Sequence, residues 1–454
     1  MKVFGSSGVR GVANEDLSPG FVLQIAAAAG TYWSVDRAAV ARDTRSTGPM
    51  LASAAAAGLA STGASVERLG VVPTPGAQAY AEREGVPVAV ITASHNPPKY
   101  NGVKLVGPDG VELTRDALEA VEERLLDEEF EAARWSTAGD VSQVEGVRER
   151  YVEEVLAAVD REQVADADLR VALDPGHGAG SLTSPEFFRR LGCEVVTVHA
   201  QPDGHFPGRD PEPVRENLHD LGELVRAVDA DVGIAHDGDA DRAIFFDETG
   251  SYVEGDATLA ALAAAELDAG DAVVSAVNVS QRLVDVAEKT GADLELTPIG
   301  STHLITRIRE LHAEGRSVPI AGEGNGGIFF PGYRVARDGA YTAARFLELV
   351  AERPVSELVA PYEEYHNVRV NVEYDADEER AAMLAAAERH ARDADAELTT
   401  IDGYRLDYGD AWVLARPSGT EPVVRVYAEG RDPDRPAELA DSMLDALERA
   451  RAEV

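Results

Sequence analysis

Residues 92–104 read TASHNPPKYNGVK and follow the apolar run VAVI at 88–91, which is typical of a short buried strand. The two prolines of this stretch can continue neither a helix nor a central strand, so we expect a rigid loop at the strand end. Ser94 and His95 lie in that loop. An exposed serine held there can carry a phosphoryl group, with His95 and Lys104 supplying positive charge or protons. The alternative is a proline turn that only happens to contain a serine and a histidine.

A second loop carries three aspartates at alternate positions, Asp237, Asp239 and Asp241 in the sequence DGDADR. Alternate side chains of an extended loop share one side, so the three carboxylates can converge. Converging carboxylates repel one another unless a hard cation joins them, and three oxygens leave positions open for a phosphate oxygen and water. The pattern therefore predicts a Mg²⁺ site. A calcium-binding EF-hand loop and a solvated acidic turn are the alternatives, but Arg242 stands where the EF-hand loop requires glycine.

A third loop is rich in glycine. Its sequence, GEGNGG at 322–327, follows an expected strand over 318–321. The glycines let the backbone and the short polar groups of Glu323 and Asn325 approach a polyol. Taken alone, such a sequence is more often an ordinary turn.

A fourth loop combines arginines and hydroxyl groups. The sequence RPSGTEPVVR at 416–425 offers forked guanidinium groups, hydroxyls and free backbone donors around a glycine turn. The combination favours a cradle for a phosphate dianion, and a surface turn flanked by arginines is the alternative. The donor residues are Arg416, Ser418, Thr420 and Arg425. Near the N-terminus, FGSSGVRG at 4–11 places Arg10 on another tight turn, which by itself says little.

Short runs of Val, Ile and Leu alternate along the chain with stretches rich in Ala, Glu and Arg. The run at 169–174, followed by a helical pattern at 184–191, is one example. Such alternation predicts α/β layers around mixed or parallel sheets. The length of 454 residues suggests three or four domains. The expected domains, divided at loop-like stretches, are 1–147, 148–249, 250–363 and 364–454.

The formal net charge of −39 argues against a nucleic-acid partner, which needs a basic footprint. The acidic residues are spread along the whole chain, which indicates a solvated, salt-adapted surface and a halophilic source. We find no signal peptide and no apolar run near the length of about 20 residues that spans a bilayer. The single cysteine, Cys193, indicates a reducing compartment and reads as a buried core residue rather than a catalytic thiol. We therefore expect a cytoplasmic protein without a membrane partner.

Taken together, the loops resemble those of the α-D-phosphohexomutase family, over essentially the whole chain and in the family's order. FGSSGVRG resembles its N-terminal motif, TASHNP its phosphoserine loop, DGDADR its metal loop, GEGNGG its sugar loop and RPSGTEP its phosphate loop. The resemblance implies an α/β fold of four domains around a central cleft. Three related α/β domains with mixed sheets would be followed by a smaller α+β domain.

The resemblance also assigns roles to residues. It implies that Ser94 is phosphorylated and helps to bind one Mg²⁺ ion per chain together with Asp237, Asp239 and Asp241. Arg10, Lys104 and Arg242 would line the transfer site, with His95 next to the nucleophile. Glu323, with Asn325 in the same loop, would contact the sugar. The residues that would hold the substrate's existing phosphate are Arg416, Ser418, Gly419, Thr420 and Arg425.

The implied reaction interconverts hexose 1-phosphate and hexose 6-phosphate. Phosphoserine 94 donates to the free hydroxyl, a 1,6-bisphosphate forms, and this intermediate turns over and returns its other phosphate to Ser94. Lys104 is the first candidate for the base that takes the hydroxyl proton, and His95 is the second. The rival functions are a phosphotransferase that releases phosphate to water and a non-catalytic sensor of sugar phosphates. The intact loops argue against both.

Some positions depart from the family pattern. Asn325 and Gly327 stand where many members have Ser and His, which resembles an archaeal-type branch often assigned to phosphoglucosamine. We therefore expect phosphoglucosamine as the first substrate, followed by phosphoglucose or phosphomannose. The role of His303 stays open, whereas His177 in the sequence DPGHGAG favours a tight structural turn. We expect small hexose phosphates as partners and a monomer or homodimer.

Overall fold

Four β-sheets follow one another along the chain, each with its own helices. The structure, a computed structural model, describes residues 4–5, 8–418 and 422–454. Three mixed sheets are followed by one antiparallel sheet, which confirms the predicted class of three related α/β domains and an α+β C-terminal domain. Among the described helices, none combines the length and the apolar character needed to cross a membrane.

The first sheet contains six strands. They are β1 (Val9–Val12), β2 (Arg37–Arg42), β3 (Ser65–Val71), β4 (Val88–Ile91), β5 (Tyr100–Val106) and β6 (Val141–Gln143). The helices of this part are α1 (Pro19–Trp33), α2 (Gly48–Ser61), α3 (Thr74–Glu84) and α4 (Arg115–Leu126). The strand order is β1-β5-β4-β2-β3-β6, and β5 runs antiparallel to both of its neighbours.

The second sheet contains five strands. In chain order its elements are α5 (Val147–Ala157), α6 (Arg161–Asp166), β7 (Arg170–Asp174), α7 (Ser184–Leu191), β8 (Glu194–Thr197), α8 (His219–Ala227), β9 (Val232–Ala235), β10 (Ile244–Phe246) and β11 (Tyr252–Val253). Short 3-10 helices lie at Ala179–Leu182 and Arg215–Asn217. The strand order is β11-β10-β9-β7-β8.

The third sheet also contains five strands. In chain order its elements are α9 (Gly255–Glu266), β12 (Ala272–Ala276), α10 (Gln281–Thr290), β13 (Asp293–Thr297), α11 (Ser301–Ala313), β14 (Ala321–Glu323), β15 (Gly327–Phe330), β16 (Arg334–Arg337), α12 (Gly339–Val350) and α13 (Val355–Val359), followed by a 3-10 turn at Ala360–Tyr362. The strand order is β13-β12-β14-β15-β16. The strand expected over 318–321 begins only at Ala321, because Pro319 has no N–H to donate to a neighbouring strand.

These three sheets share one arrangement of strands. Each sheet contains a set of four consecutive strands, namely β2 to β5, β7 to β10 and β12 to β15. In each set the first strand lies between the second and the third and is parallel to both, and the fourth strand pairs antiparallel with the third. The common order is β3-β2-β4-β5, β8-β7-β9-β10 and β13-β12-β14-β15. The central strands β4, β9 and β12 are buried along their whole length, which explains why they read as unbroken apolar runs.

The fourth sheet is antiparallel throughout. Its elements are β17 (His366–Glu373), α14 (Asp377–Asp393), β18 (Glu397–Thr399), β19 (Tyr404–Asp407), β20 (Ala411–Pro417), β21 (Val423–Gly430) and α15 (Arg435–Ala452). The strand order is β17-β21-β20-β19-β18. The helices α14 and α15 pack on the sheet, and Met383, Leu406, Val413 and Met443 belong to the core between them. The buried Arg405 donates to the carbonyl oxygens of Val277 and Val279, which ties this domain to the third.

Candidate active site

Ser94 lies in the loop after β4, with a positive φ of 50° that is uncommon for a residue other than glycine. Its backbone N–H donates to Oγ1 of Thr92 at 2.9 Å, and its Oγ donates to Oδ2 of Asp237 at 2.5 Å. The side chain is 0% exposed, so the expectation of an exposed serine is wrong for this conformation. The reason is that the loop of the second domain covers it. A Cβ added at Gly238 would lie 2.6 Å from the carbonyl oxygen of Ser94, so only glycine allows this approach.

Asp237, Asp239 and Asp241 converge on one point. One oxygen from each lies within 4.8 Å of the others. The Oδ1 atom of each carboxylate is buried and has no hydrogen-bond partner among the described residues. Three buried, unpartnered carboxylate oxygens in one place suit a hard divalent cation, so the residues present fit a metal site.

The other oxygen of each aspartate has a protein partner. Asp239 Oδ2 accepts from the hydroxyl of Thr74 at 2.6 Å. Asp241 Oδ2 accepts from Lys104 Nζ at 2.9 Å and from Arg337 at 2.6 Å. Burial raises the pKa of Asp241, but Arg337 and Lys104 outweigh it and hold the pKa below its usual range. Burial and the two neighbouring carboxylates raise the pKa of Asp237 to about 8.

Lys104 is buried among carboxylates. Besides Asp241, its Nζ lies 3.4 Å from Glu112 and 3.5 Å from Asp239. Burial opposes the charged form, but the three carboxylates outweigh it and raise the pKa of Lys104. In this arrangement Lys104 is held as an ammonium ion beside the candidate metal ligands.

His95, Arg10 and Arg242 surround the serine. His95 Nδ1 lies 3.4 Å from Ser94 Oγ and accepts a hydrogen bond from Arg242 at 2.8 Å. Arg10 donates to the side chain of Asn96 in the same loop at 2.8 Å. Burial, followed by the charges of Arg242 and Arg10, lowers the pKa of His95, so its imidazole is neutral. The structure thus brings two cations and a neutral histidine to the same serine.

The sugar-loop candidates lie next to this cluster. Glu323 ends β14 and is partly buried, whereas Asn325 is exposed and accepts the backbone N–H of Gly327 at 3.0 Å. The N–H of Ala243, just after the metal loop, donates to the carbonyl oxygen of Gly326 at 3.1 Å. The two loops are therefore neighbours in space.

The phosphate-loop candidates form a separate basic region on the fourth sheet. Arg416 on β20 is directly opposite Arg425 on β21. Arg416 pairs with Asp402 at 3.0 Å, and Asp402 accepts the backbone N–H of Ile299 from the third domain at 3.3 Å. The backbone N–H of Ser418 donates to Val423 at 2.9 Å. Gly419 and Thr420 lie outside the described residues.

Some residues of the candidate site lie outside the loop motifs and were not predicted from the sequence. Arg337 lies on β16 and Glu112 in the first domain, and both reach the cluster from a distance in sequence. Arg337 is the last residue of the strand RVAR, and nothing in that short sequence marks it as part of the site. His177 has a φ of 57° and accepts the backbone N–H of Gly208 at 3.2 Å, an arrangement that serves a structural turn. His303 lies in the first turn of α11, and its role stays open.

Four family models match successive parts of the chain. They describe phosphoglucomutase/phosphomannomutase alpha/beta/alpha domain I at residues 1–132, domain II at 149–250, domain III at 254–365 and the C-terminal domain at 366–446. All four parts of one enzyme family are thus matched in order.

Relatives match the chain over nearly its whole length. A phosphoglucomutase/phosphomannomutase of Thermococcus kodakarensis is 40% identical, with 99% of each chain covered. A probable phosphoglucosamine mutase of Methanopyrus kandleri is 39% identical, covering 100% of this chain and 99% of the relative. The solved structure of a phosphoglucomutase/phosphomannomutase family protein from Burkholderia thailandensis is 29% identical, with a TM-score of 0.87 and coverage of 99% of this chain and 97% of that one.

Proposed function

The chain belongs to the phosphoglucomutase/phosphomannomutase family of phosphohexomutase enzymes, and we propose that it moves a phosphoryl group between positions 1 and 6 of a hexose through Ser94. One observation carries this proposal. A serine hydroxyl, three unpartnered carboxylate oxygens and the side chains of Arg10, Arg242 and Lys104 meet in one buried cluster. Such a cluster suits a phosphoryl carrier with charge-neutralising groups around it.

Asp237, Asp239 and Asp241 would hold one Mg²⁺ ion through their unpartnered oxygens, with Ser94 beside it. A bound Mg²⁺ ion supplies positive charge that offsets the charge of a transferring phosphoryl group. Arg10 and Arg242 add further positive charge on the side of the serine.

The proposed transfer runs in two halves. In the first, the bond between the phosphoryl group and Ser94 Oγ breaks, and the free sugar hydroxyl forms the new bond and gives its proton to a base. The product is a 1,6-bisphosphate. In the second half the bisphosphate presents its other phosphate, which Ser94 Oγ takes back, and the leaving sugar oxygen regains a proton. Ser94 must therefore be phosphorylated at the start of each cycle.

Two residues are candidates for the base. Lys104 is the first, because its Nζ lies among the carboxylates of the transfer site, and His95 is the second, 3.4 Å from Ser94 Oγ. Lys104 must give up a proton before it can act in this way, whereas the imidazole of His95 is already neutral. Lys104→Met and His95→Gln distinguish them, because the variant without the base should lose one limb of the pH profile of kcat.

The remaining candidates would bind the parts of the substrate that do not react. We propose that Arg416, Ser418 and Arg425, with Gly419 and Thr420 of the same loop, hold the existing phosphate. Glu323 and Asn325 would contact the sugar. Because the bisphosphate turns over, one phosphate site must serve both ends of the sugar in turn. We further propose a cytoplasmic enzyme that acts as a monomer or homodimer.

Phosphoglucosamine is the substrate that we favour, with phosphoglucose and phosphomannose next. Support comes from the archaeal relatives, since the one from Methanopyrus kandleri carries a phosphoglucosamine mutase name. A relative of nearly the same identity carries the phosphoglucomutase/phosphomannomutase name, so the second choice has specific support too.

Coupled assays with the 1-phosphates of glucosamine, glucose and mannose, each followed to the 6-phosphate, test the proposal. We expect turnover of at least one, with the highest kcat/KM for glucosamine. Release of inorganic phosphate without isomerisation would indicate a phosphatase-like transferase instead. Binding of sugar phosphate without turnover, in the presence of Mg²⁺ and a 1,6-bisphosphate primer, would indicate a sensor.

A further inference from the structure

We propose that Arg45 is a positioning residue that holds the Ser94 loop in the geometry required for phosphoryl transfer. The inference rests on the proposed role of Ser94 as the phosphoryl carrier. Arg45 lies in the loop after β2, is 0% exposed, and belongs to none of the five motifs of the sequence.

The guanidinium of Arg45 is bound almost wholly by the backbone of the Ser94 loop. One terminal nitrogen donates to the carbonyl oxygens of Ser94 at 2.8 Å and Asn96 at 2.7 Å. The other donates to the carbonyl oxygens of Pro97 at 2.8 Å and Tyr100 at 2.9 Å. A guanidinium has five N–H donors, and four of them are used on this one loop. Arg45 therefore fixes the course of the loop at four points.

The fifth donor and the charge are taken up by Asp43. Its Oδ2 accepts from Nε of Arg45 at 3.0 Å and from the hydroxyl of Thr92 at 2.7 Å. The same Thr92 oxygen accepts the backbone N–H of Ser94. Both the N–H and the carbonyl group of Ser94 are thus held by one connected network. These bonds are needed because Ser94 has a left-handed backbone conformation, which a residue other than glycine keeps only where the surrounding structure holds it in place.

The second domain packs on the same arginine. The ring centroid of Phe206 lies 5.2 Å from the guanidinium carbon of Arg45. A Cβ added at Gly204 would lie 2.3 Å from the carbonyl oxygen of Thr44, so the two backbones are in close contact there. Because the second domain also carries Asp237, Arg45 joins the Ser94 loop to the domain that holds the candidate metal ligands.

This geometry calls for a guanidinium. A lysine has one nitrogen and three donors, so it keeps the charge beside Asp43 but cannot reach four carbonyl groups in a plane. Small displacements of a reacting group slow transfer strongly, which makes the loop position matter for rate. The hydrogen bonds of the Arg45 side chain go to backbone oxygens and Asp43, and its cation–π contact goes to Phe206, so it acts through Ser94 and not on the phosphoryl group itself.

Single-turnover kinetics provide the test. The full-length enzyme is phosphorylated with a hexose 1,6-bisphosphate, mixed with saturating hexose 1-phosphate, and quenched rapidly. The amplitude reports how much enzyme is folded and phosphorylated, whereas the rate constant reports the geometry of transfer. We expect Arg45→Lys and Arg45→Met to lower the rate constant by about tenfold or more, equivalent to about 1.4 kcal/mol. KM should stay unchanged, and the amides of 94–102 should exchange hydrogen faster.

Arg334→Met is the matched control. Arg334 is also a buried arginine, but its side chain binds Glu82, Glu154 and the hydroxyl of Tyr333 rather than the Ser94 loop. Its loss should change the amplitude at most, and leave the rate constant as it is. If Arg45→Met does not fold, Arg45→Lys decides the matter.

An Arg45→Lys enzyme with the wild-type rate constant and unchanged amide exchange would overturn the proposal. So would a slowed rate constant without faster exchange at 94–102, because Arg45 would then act by another route. If the wild-type enzyme accepts no phosphoryl group, the proposed function fails. Amide exchange at 94–102 still decides in that case whether Arg45 holds the loop.

Discussion

The hydroxyl of Ser94 donates to Oδ2 of Asp237 at 2.5 Å, although the two residues are 143 positions apart in the chain. The bond joins the loop after β4 in the first domain to the loop after β9 in the second. The proposed phosphoryl carrier and a candidate metal ligand therefore meet across a domain boundary. Any change in the packing of the two domains must alter the distance between them.

Ser94→Ala should abolish turnover by removing the oxygen that carries the phosphoryl group. We expect a loss of several orders of magnitude in kcat, with the fold intact. One lost hydrogen bond costs about 0.5–1.5 kcal/mol of unfolding free energy. Coupled assays and intact-mass detection of the phosphoryl group measure both effects. Ser53→Ala, at an exposed serine of the same domain, is the control. Near-normal turnover in a preparation free of other mutases contradicts the phosphoserine mechanism.

Chelation should abolish activity, and Mg²⁺ should restore it. The reason is that three buried carboxylate oxygens have no hydrogen-bond partner within the described part of the chain and suit a divalent cation. Titration with Mn²⁺, followed by electron paramagnetic resonance, measures binding without reference to activity. Asp239→Asn should weaken it, whereas Glu223→Gln, at an exposed carboxylate of the second domain, should not. Activity that survives thorough chelation rules out the metal site.

Arg416→Ala should weaken the binding of both the 1-phosphate and the 6-phosphate sugar. The loss of a charge-assisted, forked contact costs about 1.5–3 kcal/mol, or about 10- to 150-fold in affinity. Kinetics in both directions measure the effect. Arg431→Ala removes an exposed arginine of the same domain that pairs with Asp285, and should leave both affinities unchanged. An Arg416→Ala enzyme with unchanged affinity for both sugars rejects the cradle.

His199 should make stability depend on pH. Its hydrogen bond to the buried Asp174 at 3.1 Å raises the pKa of His199, and burial and the charge of Arg209 oppose this shift. Because the folded pKa is raised, the stabilisation is fully present below the unfolded value of about 6.5 and is lost as the pH rises through the folded pKa. His199→Gln should therefore lower the free energy of unfolding more at pH 5.5 than at pH 9.

Urea unfolding at the two pH values measures this difference. His205→Gln, which removes an exposed histidine of the same loop, controls for the loss of an imidazole. An equal effect of His199→Gln at both pH values shows that the bond to Asp174 does not involve the charged imidazole.

Molar KCl should raise the melting temperature. With a net charge of −39, the acidic side chains repel one another and destabilise the folded protein. At 1 M salt the Debye length falls to about 3 Å, which screens this repulsion. Thermal unfolding between low and molar KCl measures the shift. Sucrose, which is excluded from protein surfaces but screens no charge, separates screening from exclusion. A melting temperature that falls or stays constant in molar KCl contradicts the salt-adapted surface.

Much of the fold could be predicted because its central strands are unbroken apolar runs and the chemically distinctive residues follow them directly. For this reason the loops that contain Ser94 and Asp237 could be predicted from the sequence. The burial of Ser94 could not be predicted, because it depends on the approach of Gly238 from another domain. Arg45 and Arg337 were missed because their importance lies in partners far away in sequence.

Because the three α/β domains share one strand order, the same connection in each domain contributes a different residue to the candidate site. The connection between the third and fourth strands of the set carries Ser94 in the first domain and Asp237 in the second, and it begins at Glu323 in the third. One topological position, occurring three times, thus supplies the proposed phosphoryl carrier, the candidate cation ligands and a candidate sugar contact. Lengthening that connection would displace a different group in each domain: Ser94 in the first, the candidate cation ligands in the second and Glu323 in the third. The three domains are therefore not interchangeable, although they share one strand order.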